Sequence, residues 1–407
     1  MLTEKSTSPI RVAARIDRFS YAIRNIVADA RAVQARGLSV RYMNIGDPVA
    51  AGFETPPHMI EAAQRAMRDG HNGYLPSAGL LEAREAVAAE YSARGVAVSA
   101  SRVLITDGTS EGIDIALNAL VDEGDEVLVP TPTYPLYTAV LAKISATPLY
   151  YPTDPSRGWL PDLDRLRSLI TSRTRVLVVI DPNNPTGAVY PTSVRRELID
   201  LAERHNLTIL ADEVYSDLGF EGPVPLLGSL ALDAPIISFS SLSKAYLAPG
   251  WRVGWMVVGT TPRLDNVMTA VMKLADGRLC SPAPMQFAVT AALTGDRSHQ
   301  TAFRQALARR GAITTEALNA IPGIQCVPPR AAFYTMPTVS LPPGRTDEDY
   351  VLALLRETGI LCVYGSGFGM PAELGSFRVV FLADPDELSQ IYTDIGTFTA
   401  DYLERAG

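Results

Sequence analysis

Val176-Leu177-Val178-Val179-Ile180-Asp181-Pro182-Asn183-Asn184-Pro185-Thr186-Gly187 decides the fold. Its first five residues are all apolar and mostly β-branched, the mark of a strand buried on both faces. The Asp-Pro-Asn-Asn-Pro turn then stops it. A strand covered on both sides belongs to a mainly parallel sheet, whose neighbouring strands are joined by helices.

The same alternation extends outward. Upstream, Val103-Leu104-Ile105-Thr106 is followed by a helical Ser110 to Leu120 segment, and Glu126-Val127-Leu128-Val129-Pro130 precedes another helix. Downstream, a helix over Thr192 to His205 leads to Thr208-Ile209-Leu210-Ala211, and Ile236-Ile237-Ser238-Phe239 runs into a Ser-rich turn. Strands separated by helices form an α/β sheet with helices on both faces, and ligand residues gather at the carboxyl ends of its strands. A long helical stretch from about Asp296 to Ala320, with Arg304, Arg309 and Arg310 on it, reads as a connector. Beyond it, Phe333-Tyr334, a helix near Glu348 to Glu357, and Phe377-Arg378-Val379-Val380-Phe381 make a smaller α+β domain. The expected division is 1–48 as N-terminal arm and part of the small domain, 49–295 as large domain, and 296–407 as small C-terminal domain.

Composition removes several classes. At 407 residues, 47% hydrophobic and 20% charged, the chain suits a globular enzyme of two packed domains. A net charge of −8 disfavours nucleic acid and anionic membranes. Cys280, Cys326 and Cys362 are too scattered for a disulfide framework or zinc site, which fits a reducing, cytoplasmic setting. No leader-like or membrane-spanning apolar run is visible, and His58, His71, His205 and His299 are too dispersed for a histidine metal site.

The chemistry concentrates in Ser241-Leu242-Ser243-Lys244, followed by Pro249-Gly250-Trp251-Arg252. A buried lysine near an arginine is expected to have a depressed pKa, and a neutral amine attacks carbonyls. Two serines and an arginine supply donors for a phosphate dianion. Together they suggest pyridoxal 5'-phosphate, an aldehyde with a phosphate tail, although a solvated Ser-rich loop has the same composition. Asp107-Gly108-Thr109-Ser110 lies between a strand and a helix, where free N–H groups favour a phosphate; a helix simply capped by Ser110 explains it equally well. Asp212 ends an apolar strand, and a buried carboxylate needs a partner such as a protonated pyridine nitrogen. The Asn184 amide suits a phenolate oxygen and a substrate carboxylate, the Tyr215 hydroxyl suits the same phenolate, and Tyr134 could stack on an aromatic ring. Ordinary turn and packing roles account for each of these taken singly.

Taken together, Tyr74, Gly108-Thr109-Ser110, Tyr134, Asn184-Pro185-Thr186-Gly187, Asp212, Tyr215, Ser241, Ser243, Lys244, Arg252 and Arg378 resemble, in order and spacing, the class I/II aminotransferases of pyridoxal phosphate fold type I. The resemblance runs from about residue 20 to the end of the chain. It implies a large domain with a mainly parallel seven-stranded sheet between helices, plus the smaller α+β domain. It implies that Lys244 forms the Schiff base and moves the proton, that Asp212 holds the pyridinium, and that Tyr215 and Asn184 hold its phenolate oxygen. Tyr134 would stack; Gly108, Thr109, Ser110, Ser241, Ser243 and Arg252 would cradle the phosphate; and Arg378 would grip the substrate α-carboxylate. Tyr74 would reach the phosphate of a partner subunit, making a homodimer.

Within the family, Tyr21-Ala22-Ile23-Arg24, Asn44-Ile45-Gly46-Asp47-Pro48, Arg278-Leu279-Cys280 and Gly365-Ser366-Gly367-Phe368 look most like the bacterial alanine (glutamate–pyruvate) transaminases. Gly46 would then lie near the substrate carboxylate, Tyr21 would join the substrate site, and Arg24, or Arg278 acting across the dimer interface, would meet the second carboxylate of glutamate. Ala331 and Pro249 depart from the family's usual residues, and Asp47 from that branch's asparagine. Acidic Asp47 and Glu54 leave a specialised, basic amino acid open, and a lyase or oxidase on the same fold is the rival from another class. A regulatory, DNA-binding relative is disfavoured by the short arm ahead of the first motif.

Overall fold

The computed structural model describes residues 9–18 and 26–406. Tyr21 and Arg24 therefore lie outside the described residues. The first strand, β1 (Arg41–Tyr42), belongs to the N-terminal segment. The large sheet comprises β2 (Val103–Thr106), β3 (Glu126–Thr131), β4 (Thr147–Asp154), β5 (Leu160–Pro161), β6 (Thr174–Ile180), β7 (Thr208–Asp212), β8 (Ile236–Ser241) and β9 (Gly254–Val258), in spatial order β2-β9-β8-β7-β6-β3-β4-β5.

Side-chain alternation explains the continuous apolar runs. In β6, Val176, Val178 and Ile180 enter the core on one face of the sheet, while Leu177 and Val179 enter the core on the other. Each such side chain contributes about 1.5–3 kcal/mol of burial, so neither face tolerates a polar residue there. Strands β3, β4, β6, β7 and β8 pair in parallel, whereas β9 runs against both β2 and β8. An eighth strand extends the seven expected: Thr153 and Asp154 pair antiparallel with Leu160 and Pro161 across the turn Pro155–Arg157.

This topology gathers the chemistry on one edge. Asn184 follows β6; Asp212 closes β7; and Ser241, at the end of β8, opens the loop that carries Ser243 and Lys244. Because β9 is reversed, Arg252 just before it returns to that edge.

The rest of the chain builds the opposite wall. Strand β10 (Ile324–Gln325) pairs with β12 (Thr338–Val339), and β11 (Tyr334–Thr335) pairs with β15 (Phe377–Val380), which also pairs with β14 (Val363–Tyr364). β1 runs parallel to β13 (Ile360–Leu361), and Arg41 forms an ion pair with Asp394, so the N-terminal segment is stitched to the C-terminal one. The expected connector is the helix Ser298–Asn319; its Arg310 donates to the Ala383 carbonyl and stacks on Phe53. Among the described residues no helix is long and apolar enough to cross a membrane.

Candidate active site

A cavity of about 550 Å³ opens between the sheet edge and the β11–β15 wall. Most of the expected residues meet there: Gly46, Thr109, Ser110, Tyr134, Asn184, Asp212, Tyr215, Ser241, Ser243, Lys244, Arg252 and Arg378 all line it. Gly108 stands directly behind, where an added Cβ would collide with the Arg252 guanidinium at 2.4 Å. Tyr74 lies elsewhere and is 85% exposed.

Lys244 is half-buried rather than buried, because its loop faces the open cavity. Its amine donates to the Gly46 carbonyl at 2.8 Å and sits 5.6 Å above the Phe333 ring. The lysine thus points across the cavity rather than into the sheet.

The helix Thr109–Leu120 starts one residue earlier than expected. Its N-cap is Gly108, at φ 71°, and no side chain caps it, so Ser110 is not the cap. The hydroxyl of Thr109 is buried without a hydrogen-bond partner. Arg252, itself at φ 54°, donates to the carbonyls of Asp107 and Pro249, which brings its guanidinium beside this helix end. An uncapped N-terminus, an orphan hydroxyl and a guanidinium form an anion cradle.

Asp212 is 3% exposed, and no salt bridge reaches it among the described residues. Tyr137 donates to it at 3.3 Å, and burial raises its pKa to about 6. A carboxylate so placed is stabilised by a cation arriving in the cavity. The residues therefore fit the cofactor that the resemblance implies: a carboxylate for a pyridinium, a cradle for a phosphate, and an amine between them.

On the far wall, Arg378 is 2% exposed, donates to Asn184 Oδ1 at 3.1 Å and to the Asn44 carbonyl, and lies over the rings of Tyr334 and Phe368, 4.8 Å from each centroid. Tyr215, whose phenol burial pushes well up, lies 3.0 Å from the Tyr334 hydroxyl.

Arg278 pairs with Glu111 at 3.0 Å and donates to the Ile105 carbonyl, outside this chain's own cavity lining. Asp47 does line the cavity, but its Oδ1 accepts the N–H groups of Val49 and Ala50, and Glu54 is exposed outside the lining. Ala331 departs harmlessly: the positive φ falls on Ala332, at 59°. Sequence reasoning missed Tyr334 and Asn44 as lining residues. Their one sequence signal is proximity, since Tyr334 lies within an aromatic strand pair and Asn44 two residues before Gly46.

Comparison with known proteins agrees with this geometry. The family model for aminotransferase class I and II matches residues 42–394. The chain is 36% identical over 403 residues to the glutamate-pyruvate aminotransferase AlaA of Escherichia coli, covering 97% of this chain and 99% of that one. It is 36% identical to the alanine aminotransferase of Mycobacterium tuberculosis, over 96% of this chain and 93% of the relative. The solved structure of an alanine aminotransferase from Pyrococcus furiosus superposes with a TM-score of 0.93 at 37% identity, covering 96% of this chain and 100% of that one. The chain belongs to the class I and II aminotransferases, enzymes that use pyridoxal phosphate.

Proposed function

We propose that this aminotransferase moves the amino group between L-alanine and pyruvate on one side and glutamate and 2-oxoglutarate on the other, in two ping-pong half-reactions. The observation that carries the proposal is the pairing of Lys244 and Arg378 in one cavity, with buried Asp212 at its base. The choice of substrates rests on the names of the two bacterial relatives.

In this reading, when bound, the cofactor supplies a sink for the electron pair released as the substrate's Cα–H bond breaks. Asp212 keeps the ring nitrogen cationic, while Tyr215 and Asn184 hold the phenolate oxygen. Tyr134 stacks on the ring. Thr109, Ser110, Ser241, Ser243 and Arg252 bind the phosphate, with Gly108 leaving the approach open. Arg378 and Gly46 orient the carboxylate so that Cα presents its hydrogen, not its carboxylate, across the ring. The Lys244 amine then takes that proton from Cα and returns it on the other side of the transfer.

The small domain of this scheme consists of the N-terminal segment to residue 48 together with 296–407, packed on a large domain of 49–295. Two chains share their sites, with exposed Tyr74 reaching the partner's phosphate. Three unpaired cysteines suit a cytoplasmic setting.

The test is a half-reaction screen. The cofactor-loaded enzyme is mixed with single L-amino acids while its visible absorbance is followed. Alanine and glutamate are expected to convert the cofactor to its amine form fastest. Failure of both, with conversion by arginine or lysine, overturns the substrate assignment; ammonia release or oxygen uptake overturns transamination itself.

A further inference from the structure

Tyr334 faces two ways. Its hydroxyl is 3.0 Å from that of Tyr215, and the two rings meet edge to face with centroids 5.6 Å apart. Its face covers Arg378 at 4.8 Å, and the Phe368 ring lies at the same distance from that guanidinium. The same hydroxyl bears on Gly46, where an added Cβ would stand only 2.0 Å away. Tyr334 is 3% exposed, and its position follows from the pairing of β11 with β15, which sets it opposite Val380, two residues from Arg378.

These contacts have separate consequences. Tyr215 donates its single phenolic proton to Tyr334, so the Tyr334 hydroxyl decides whether that proton stays within the pair or turns to an acceptor on the cofactor. A guanidinium lying over two aromatic rings is restricted to one plane, and only one plane meets a carboxylate with two parallel N–H bonds. We propose that Tyr334 is a positioning residue with two separable tasks: its hydroxyl sets Tyr215 toward the cofactor, and its ring sets Arg378 toward the substrate carboxylate. This rests on the assignment of Tyr215 and Arg378 given above. The titratable and charged groups facing the hydroxyl pair are Tyr134, Asp212, Lys244 and Arg378.

The experiment compares Tyr334→Phe with Tyr334→Leu, each loaded with pyridoxal phosphate. Two readouts are taken: the pH midpoint of the bound cofactor's visible absorbance, and KM and kcat for the amino and oxo acids. Tyr334→Phe keeps the ring, so the midpoint moves by about half a pH unit or more while KM stays within about twofold. Tyr334→Leu loses both tasks: it shows the same midpoint shift and a KM raised about tenfold or more. An unmoved midpoint in Tyr334→Phe, or equal KM in the two variants, overturns the proposal. Should the leucine variant fail to fold, Tyr334→Met makes the same ring-free comparison. Arg378→Lys, measured alongside, separates the two levels. If it leaves KM unchanged, the carboxylate assignment itself is wrong; if it alone raises KM, only the role of Tyr334 is.

Discussion

The Lys244 amine donates to the carbonyl of Gly46 at 2.8 Å, closing a contact across 198 positions of sequence. Lys244, on the loop after β8, is thus registered against the N-terminal segment, which has little room at Gly46. A methyl group at residue 46 would meet the Tyr334 hydroxyl at 2.0 Å and the Phe333 ring at 2.6 Å. Gly46→Ala must displace that segment, with an overpacking cost of about 1–3 kcal/mol. The expected outcome is a ten- to hundredfold fall in kcat/KM, roughly that energy, with cofactor affinity little changed. Steady-state kinetics with a cofactor titration check it.

Gly254 tests the anion cradle. Its added Cβ would stand 2.7 Å from the Gly108 carbonyl carbon and the Thr109 nitrogen, both backbone atoms that cannot rotate away. Gly254→Ala should shift the start of the helix Thr109–Leu120 and weaken cofactor binding by about tenfold or more. An equilibrium titration with pyridoxal phosphate would show it, and unchanged affinity would remove this helix end from the phosphate site.

Three buried carboxyls give the cofactor-free protein a definite pH response. Burial raises Asp212 and Asp181 to about 6 and Glu213 to about 7. A carboxyl whose pKa is raised on folding favours the protonated native state. Its stabilisation is complete below the ordinary carboxyl range and is lost as pH rises through 6 to 7. Urea unfolding of the cofactor-free protein should therefore show lower stability at pH 8 than at pH 5. In Asp212→Asn that difference should shrink by roughly 1.4 kcal/mol, the worth of the one pKa unit of the shift that lies above pH 5.

Arg195 and Asp181 form an ion pair at 2.6 Å with side chains 3% and 6% exposed. Arg195 also donates to the Pro225 carbonyl, and Asp181 accepts the N–H of Tyr190. Arg195→Ala strands a buried carboxylate and should cost about 3–5 kcal/mol in denaturant unfolding. Because Asp181 opens the turn that carries Asn184, the variant should also bind the cofactor more weakly.

What could be read in the sequence follows from what each residue contacts. Strand β6 was legible because its five apolar residues supply both faces of the sheet. Strand β4 was not, since Pro148 and Pro152 interrupt it and it sits near the sheet edge with Tyr150 42% exposed. Asn184, Asp212 and Lys244 could be found because each ends or closely follows a strand, and strand ends are where this topology puts ligands. Tyr334 and Asn44 reach the cavity through long-range contacts with β15 that no local spacing encodes. Arg195 stands beside Arg196 in a helix, and only its own 3% exposure and its pairing with buried Asp181 show that it is interior.

Lys244 and Arg252 ride on the same loop, between β8 and the reversed β9, closed at its base by the pairing of Ser241 with Gly254. The backbone spacing between Lys244 and Arg252 is therefore set within one hairpin. A phosphate cradle carried by that hairpin and one helix end keeps its backbone geometry without any contribution from the wall that carries Arg378. That division lets a single cofactor serve successive half-reactions without being surrendered between them.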